Sequence, residues 1–262
     1  MDILEKLKDY YCSYKGEKAI IGKSYKNREI YAFHVRKSES PKIIVSYAIH
    51  GREYITSYLA MKQLSAFSFY GRRGDVWFLP IVNPDGVYLS LYHNPQNKAN
   101  SRCVDLNVNF DADWGKGKKN VFFPSFENYV GSRPFSEKET RFIKDFTLKF
   151  KPDLTVSYHS KGEEIYFEYR QERERYLRDK KIADTVKKVT GYTVKSTPDS
   201  CGGYKDWCIS ELKIPALTIE VGSDDLSHPI TEENLPEIYQ KNKGVIFALT
   251  EIKWLKNLWT KP

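Results

Sequence analysis

The chain has 262 residues, 40% of them hydrophobic and 29% charged, a balance that suits a globular protein and excludes a disordered or fibrous one. That length fits one large α/β domain over residues 1–262. The formal charge of +8 favours anionic partners in general, but the denser basic runs, at 116–119 and 170–188, are interrupted by glycines or acidic residues, so they read as solvated faces and no nucleic-acid partner is expected. At the N-terminus Ile3, Leu4, Leu7, Tyr10 and Tyr11 recur at helical spacing between charges, without the basic start and unbroken apolar run of a signal peptide. No stretch reaches membrane-spanning length. The four cysteines show no CxxC pair and make no disulfide framework. A reducing, cytoplasmic location with no membrane partner is the expectation; oligomeric state is not legible.

Apolar runs predict strands over 19–21, 30–35, 42–49 and 76–82, with a helix over 54–69 between the last two. Asn83-Pro84-Asp85-Gly86 is a turn signal. It opens a long irregular stretch to about 133, and loops of that length in a compact domain tend to be functional. Ser136-x-x-Glu139 has the form of a capping box and predicts a helix to 150. Beyond it come strands over 153–158 and 164–169, an amphipathic helix over 172–189, a short helix over 204–211, a buried strand over 216–221 and a closing helix over 232–255. Alternating strands and helices predict one mixed central sheet with helices on both faces, in a single α/β domain.

Five histidines allow each to be weighed. His34 lies within a strand, His93 sits in the long loop, and His228 follows a loop in a Ser-His-Pro run that is a surface or cleft position. His50 and His159 differ: each closes an apolar strand, where open α/β sheets place their ligands. Glu53 stands three positions after His50. Two imidazoles, one carboxylate and an open fourth position make a catalytic zinc set, one ion per chain. Glu220 ends the apolar strand Ala216-Leu217-Thr218-Ile219, a costly place for a carboxylate that is neither paired nor functional. As a general base it would accept a proton from an attacking water and pass it to a leaving amine.

The segments HGRE, NPDG, VDLNVNFD, SEKET, YHSKGEEIY, GGYKDW and ALTIEVG occur in this order at spacings that resemble the zinc carboxypeptidase family, over nearly the whole chain from about residue 18. The resemblance implies a carboxypeptidase-like fold, zinc on His50, Glu53 and His159, and Glu220 as catalytic acid/base. The separated GGYKDW and TIEVG elements look most like the γ-D-glutamyl-diamino-acid peptidases, which cut peptidoglycan stem peptides. A peptide substrate, a muropeptide stem, follows from that likeness.

Departures from the family pattern sharpen the expectation. The family reads D-x-N-R-N, its Asn-Arg pair gripping a C-terminal carboxylate; here Asn107 is followed by Val108, so the bidentate clamp is missing. The family's oxyanion-stabilising arginine aligns by spacing with Lys98, while Arg102 is close enough to serve, and a guanidinium suits an oxyanion. Tyr204 is the candidate for the family's substrate-closing tyrosine, against a purely packing role. Lys205 stands where the family places the base of its leaving-side pocket, and a cation there favours an anionic group such as a diaminopimelate carboxylate; the competing reading is a lysine reaching solvent. The expected reaction is hydrolysis of the γ-D-glutamyl–diamino-acid bond. The alternatives are a carboxypeptidase releasing a C-terminal residue, or a non-catalytic muropeptide binder on the same fold.

Overall fold

The computed structural model describes residues 1–256. In chain order they form α1 (Ile3–Ser13), β1 (Lys18–Lys23), β2 (Glu29–Arg36), β3 (Lys42–Tyr47), α2 (Ile55–Tyr70), β4 (Asp75–Leu79), α3 (Pro84–Tyr92) and α4 (Lys138–Phe150). There follow β5 (Leu154–Ser160), β6 (Glu164–Tyr166), α5 (Arg173–Thr190), β7 (Thr193–Lys195), α6 (Tyr204–Ser210), β8 (Ala216–Val221), α7 (Leu235–Asn242) and α8 (Val245–Thr250). The strands make one eight-stranded mixed sheet in the order β1-β2-β4-β3-β5-β8-β6-β7. Its centre, β4-β3-β5-β8, is parallel. Antiparallel β2 and β6 flank that centre, and β1 and β7 are the outer strands.

Alternate residues of the central strands feed two cores. Ile43, Val45 and Tyr47 pack with Leu59 and Phe67 of α2, Ile182 of α5 and Leu249 of α8. Ile44 turns to the opposite side, with Ile143 of α4 and Trp207 and Ile209 of α6. The sheet is thus covered on both faces, which is why its central strands read as continuous apolar runs. Parallel register aligns Ser46 with Ser157 and His159 with Glu220, so β3, β5 and β8 deliver their C-terminal ends to one rim.

Several boundaries differ from the sequence expectation for identifiable reasons. β3 stops at Tyr47 because Ala48 takes a left-handed conformation, φ 45°. Asn83-Pro84-Asp85-Gly86 starts a helix: the Asn83 side chain accepts the Gly86 N–H at 2.8 Å and Pro84 fills the first helical turn. The capping box at Ser136 does not form, since the Ser136 hydroxyl donates to the Glu137 carboxylate and accepts from Asn109 while α4 begins at Lys138. The closing helix divides at Lys243 and Gly244 into α7 and α8.

On β2, His34 is held between two carboxylates. Nδ1 lies 2.5 Å from Glu17, Nε2 contacts Asp75, and the ring stacks on Trp77 with centroids 4.4 Å apart. Arg36 also faces Asp75, at 4.0 Å. Burial alone would lower this imidazole, but the bonds to Asp75 and Glu17 outweigh it and raise the pKa. A folded pKa above the unfolded one stabilises fully below the unfolded value of about 6.5 and loses that contribution as pH rises through the folded one. The melting temperature of His34→Gln should therefore fall short of the parent's by a few °C at about pH 5, and the gap should narrow toward pH 9. A gap independent of pH would show that the ring contributes packing only.

Candidate active site

His50 leaves β3 through the turn at Ala48, and the 3-10 turn Gly51–Glu53 folds Glu53 back beneath it. That turn needs Gly51, because a Cβ there would lie 2.2 Å from the Gly86 carbonyl oxygen. His159 arrives from the penultimate position of β5. Nδ1 of His50 is 2.8 Å from Glu53 Oε1, Nδ1 of His159 is 2.9 Å from Glu53 Oε2, and the two Nδ1 atoms are 3.2 Å apart. All three side chains are buried, and among the described residues they are the one His/Cys/Asp/Glu group placed to share a metal ion.

The donor set fits a zinc ion. Two imidazole nitrogens and a carboxylate, all buried, converge on one point at the floor of a cleft. Asp105 Oδ1 lies 3.2 Å from Nε2 of His50, which fixes the ring so that Nδ1 faces the convergence point. The electrostatics also favour a cation here. Burial would lower the His50 pKa, yet the Glu53 and Asp105 carboxylates hold it up at about 9. Glu53, against its burial, is kept well below the carboxylate range by His50 and His159. His159 itself is lowered by burial, against the pull of Glu53.

Glu220, on β8, is the register partner of His159 and borders the same cleft. Its Oε2 is buried and makes no hydrogen bond. Burial first, then the neighbouring Glu53 carboxylate, pushes the Glu220 carboxyl well above its ordinary pKa. The cleft measures about 710 Å³ and is bordered by His50, Lys98, Asp105, Asn107, His159 and Glu220. Lys118 and Lys119 add positive charge at its margin. A smaller annex of about 160 Å³ runs on between Asn107 and Glu220 to Lys205 and Asp206.

The structure distinguishes the other sequence candidates. Lys98 borders the cleft, and its charge reaches Asp105, His159 and Glu220. Arg102 points elsewhere: it donates to the Tyr25 hydroxyl at 2.6 Å, lies over that ring and faces Glu137 at 3.7 Å. Tyr204 does not reach the cleft either. Its ring is buried in the core between Phe110 and Trp207, with the hydroxyl 2.7 Å from Thr147. Only its backbone serves the site, its N–H donating to Asn107 Oδ1 at 3.2 Å. Lys205 is buried and does not reach solvent; its ammonium donates to Asp206 at 2.5 Å and to the Glu168 carbonyl at 2.8 Å. Asp105 lies in the VDLNVNFD segment, two positions before Asn107 in a polar loop, and carries no local signal of its contact with His50.

Comparison with known proteins agrees with this geometry. Residues 3–244 match the family described as zinc carboxypeptidase. The γ-D-glutamyl-L-diamino acid endopeptidase 1 of Lysinibacillus sphaericus is 28% identical over 238 residues, 83% of this chain and 59% of that protein's length. A zinc carboxypeptidase of Simulium vittatum is 31% identical over 245 residues, 80% of this chain and 79% of that one. Among solved structures, bovine thrombin-activatable fibrinolysis inhibitor in complex with tick carboxypeptidase inhibitor shares the fold. Its TM-score is 0.80 at 21% identity, covering 94% of this chain and 93% of that chain. Murein-tripeptide amidase MpaA of Escherichia coli O157 gives 0.65 at 21%, covering 92% and 94%. No helix among the described residues is long and apolar enough to cross a membrane.

Proposed function

Because this chain belongs to the zinc carboxypeptidase family and is a metallopeptidase, we propose that it hydrolyses the γ-D-glutamyl–diamino-acid bond of peptidoglycan stem peptides. The observation that carries this reading is the leaving side of the cleft. Val108, not an arginine, borders it beside Asn107, so no bidentate grip on a terminal α-carboxylate is offered there. The annex instead presents Lys205 and Asp206 side by side, a cation and an anion. That pairing complements the ammonium and carboxylate ending a diaminopimelate side chain. Similarity to the Lysinibacillus endopeptidase over 83% of the chain supports the same substrate class.

His50, Glu53 and His159 would hold the zinc, and Asp105 would keep His50 oriented. A bound zinc supplies Lewis acidity, polarising the scissile carbonyl and the attacking water. Glu220 accepts the proton of that water and returns it to the leaving amine, a transfer its unpartnered Oε2 leaves it free to make. Lys98 supports the oxyanion, and Asn107, fixed by the Tyr204 N–H, positions the leaving residue.

Incubation of the purified protein with defined muropeptides, read by product mass, tests this. The expected products are a fragment ending in D-glutamate and a fragment beginning with the diamino acid. Release only of C-terminal residues from ordinary peptides would establish the carboxypeptidase reading, which the Simulium relative favours. Binding of muropeptides without turnover would establish the non-catalytic one. Lys98→Ala should lower kcat by about 10²–10³, as loss of an oxyanion donor does, whereas Arg102→Ala should stay within a few-fold of the parent. A loss confined to Arg102→Ala would reassign that role.

A further inference from the structure

From Trp114 to Phe126 the chain reads WGKGKKNVFFPSF, with three lysines, four aromatic rings and no carboxylate. Phe122, Phe123 and Phe126 are 64%, 65% and 46% exposed, and none of them belongs to either core. The backbone beneath them is nevertheless fastened. The Val121 N–H donates to the Asn128 carbonyl at 3.0 Å, and the N–H groups of Lys98 and Ala99 donate to the Phe126 carbonyl at 2.9 and 3.0 Å. The Asn128 N–H donates to the Asp105 carboxylate at 3.1 Å. A fixed loop thus keeps three apolar rings in water, a cost that an apolar partner would relieve. The lysines of the run, Lys116, Lys118 and Lys119, are exposed as well. Lys116 and Arg170 share the single Asp113 carboxylate, at 2.8 and 2.7 Å, and Lys118 stands 3.8 Å from an exposed Asp199. Exposed pairs of this kind hold their charges weakly and leave the ammonium groups open to another anion. Glu127, just past the run, faces Arg52 and Lys98 at 3.9 Å each.

We propose that this loop docks the protein on an anionic lipid surface, with Phe122, Phe123 and Phe126 at the boundary between headgroups and acyl chains and the lysines on the headgroups. Apolar rings flanked by basic side chains are the chemistry of interfacial attachment, in which burial and charge attraction add. A glycan strand fits less well. Phenyl rings offer it no hydrogen bond, and the one polar aromatic of the run, Trp114, spends its Nε1–H on the Val130 carbonyl at 2.9 Å while its ring packs edge-on against Phe122. Attachment of this kind needs no spanning helix, so it departs from the sequence expectation of no membrane partner, which rested on the length of apolar runs. Lys118 and Lys119 also border the cleft, and docking would therefore bring the cleft mouth to the lipid surface.

Co-sedimentation of the whole protein with vesicles tests the proposal, comparing phosphatidylglycerol mixed into phosphatidylcholine with phosphatidylcholine alone. The protein should pellet with the anionic vesicles and stay largely in solution with the neutral ones, and added salt should release it. Phe122→Ser/Phe123→Ser should weaken binding by about 10–100-fold, as expected when two rings no longer enter the interface. Cleavage of a small soluble peptide by this variant should stay within a few-fold of the parent, which shows that the fold and the site are intact. Phe123→Ser alone, with an expected loss of about tenfold, serves if the double variant does not fold. No pelleting with anionic vesicles at low salt would overturn the proposal, and so would equal binding to neutral vesicles or binding that the folded Phe variants leave unchanged. Ring-dependent binding to insoluble peptidoglycan, or ring-dependent dimers, without vesicle binding would overturn it and assign the loop to a glycan or to a second copy of the chain.

Discussion

His50→Ala and His159→Ala are each expected to reduce bound zinc from about one ion per chain to a small fraction and to bring peptidase activity to background. Each substitution removes one of the three donors grouped among the described residues, and the Asp105 carboxylate is already committed to the far nitrogen of His50. The His50 change is the harsher of the two. It leaves Glu53 and Asp105 buried without the imidazole between them, and an unpaired buried carboxylate is strongly destabilising. Its metal content should therefore be measured alongside a thermal melt, and His159→Ala provides the cleaner comparison. Full zinc occupancy in both folded variants would remove these residues from the ligand set.

Glu220→Gln should retain the zinc and the fold yet lose about 10²–10⁴ in kcat, the range expected for a missing general base. The side chain is isosteric, and it replaces a carboxyl that burial already disfavours in its charged form. Stability should accordingly hold or rise slightly. That combination of intact metal, intact melting temperature and collapsed turnover distinguishes a proton carrier from a ligand or a packing residue. Turnover within a few-fold of the parent would place the proton transfer elsewhere.

The residues most legible in the sequence are those at strand ends. His50, His159 and Glu220 each interrupt an apolar run at the point where a buried strand meets solvent, so a one-dimensional pattern marks a three-dimensional rim. Glu53 follows from its spacing to His50. What escaped lies in contacts whose partners are far apart in sequence. Asp105 gains meaning only when the polar loop is laid against His50, 55 positions earlier. On paper Lys98 has the spacing and Arg102 the better-suited guanidinium, but Tyr25 and Glu137 draw Arg102 away and leave Lys98 at the cleft. Tyr204 adjoins GGYKDW, yet α6 turns its ring inward to Phe110 and Thr147. The strand order was equally hidden, because it depends on which runs pair, and β6 and β7 are only three residues each. The helix at Asn83-Pro84 differs in kind: an asparagine cap and a first-turn proline signal a helix start as well as a turn, and the same four residues carry both signals.

An open sheet has two margins, and here both are unsuited to recruiting a further strand. β1 starts and ends on lysine, and the ammonium of Lys18 is fastened to the carbonyls of Tyr11 and Tyr14 at the end of α1. The Phe142 ring of α4 sits against Gly22, at the place where a Cβ would stand. β7 offers only three residues, with Thr193 and Lys195 exposed. Short length, lysine and a covering helix are the devices by which proteins keep unpaired backbone from zipping onto a neighbour. At high concentration, copies of this chain should resist edge-to-edge polymerisation. Any association between them falls to helix or loop surfaces and leaves the register of β3, β5 and β8 undisturbed.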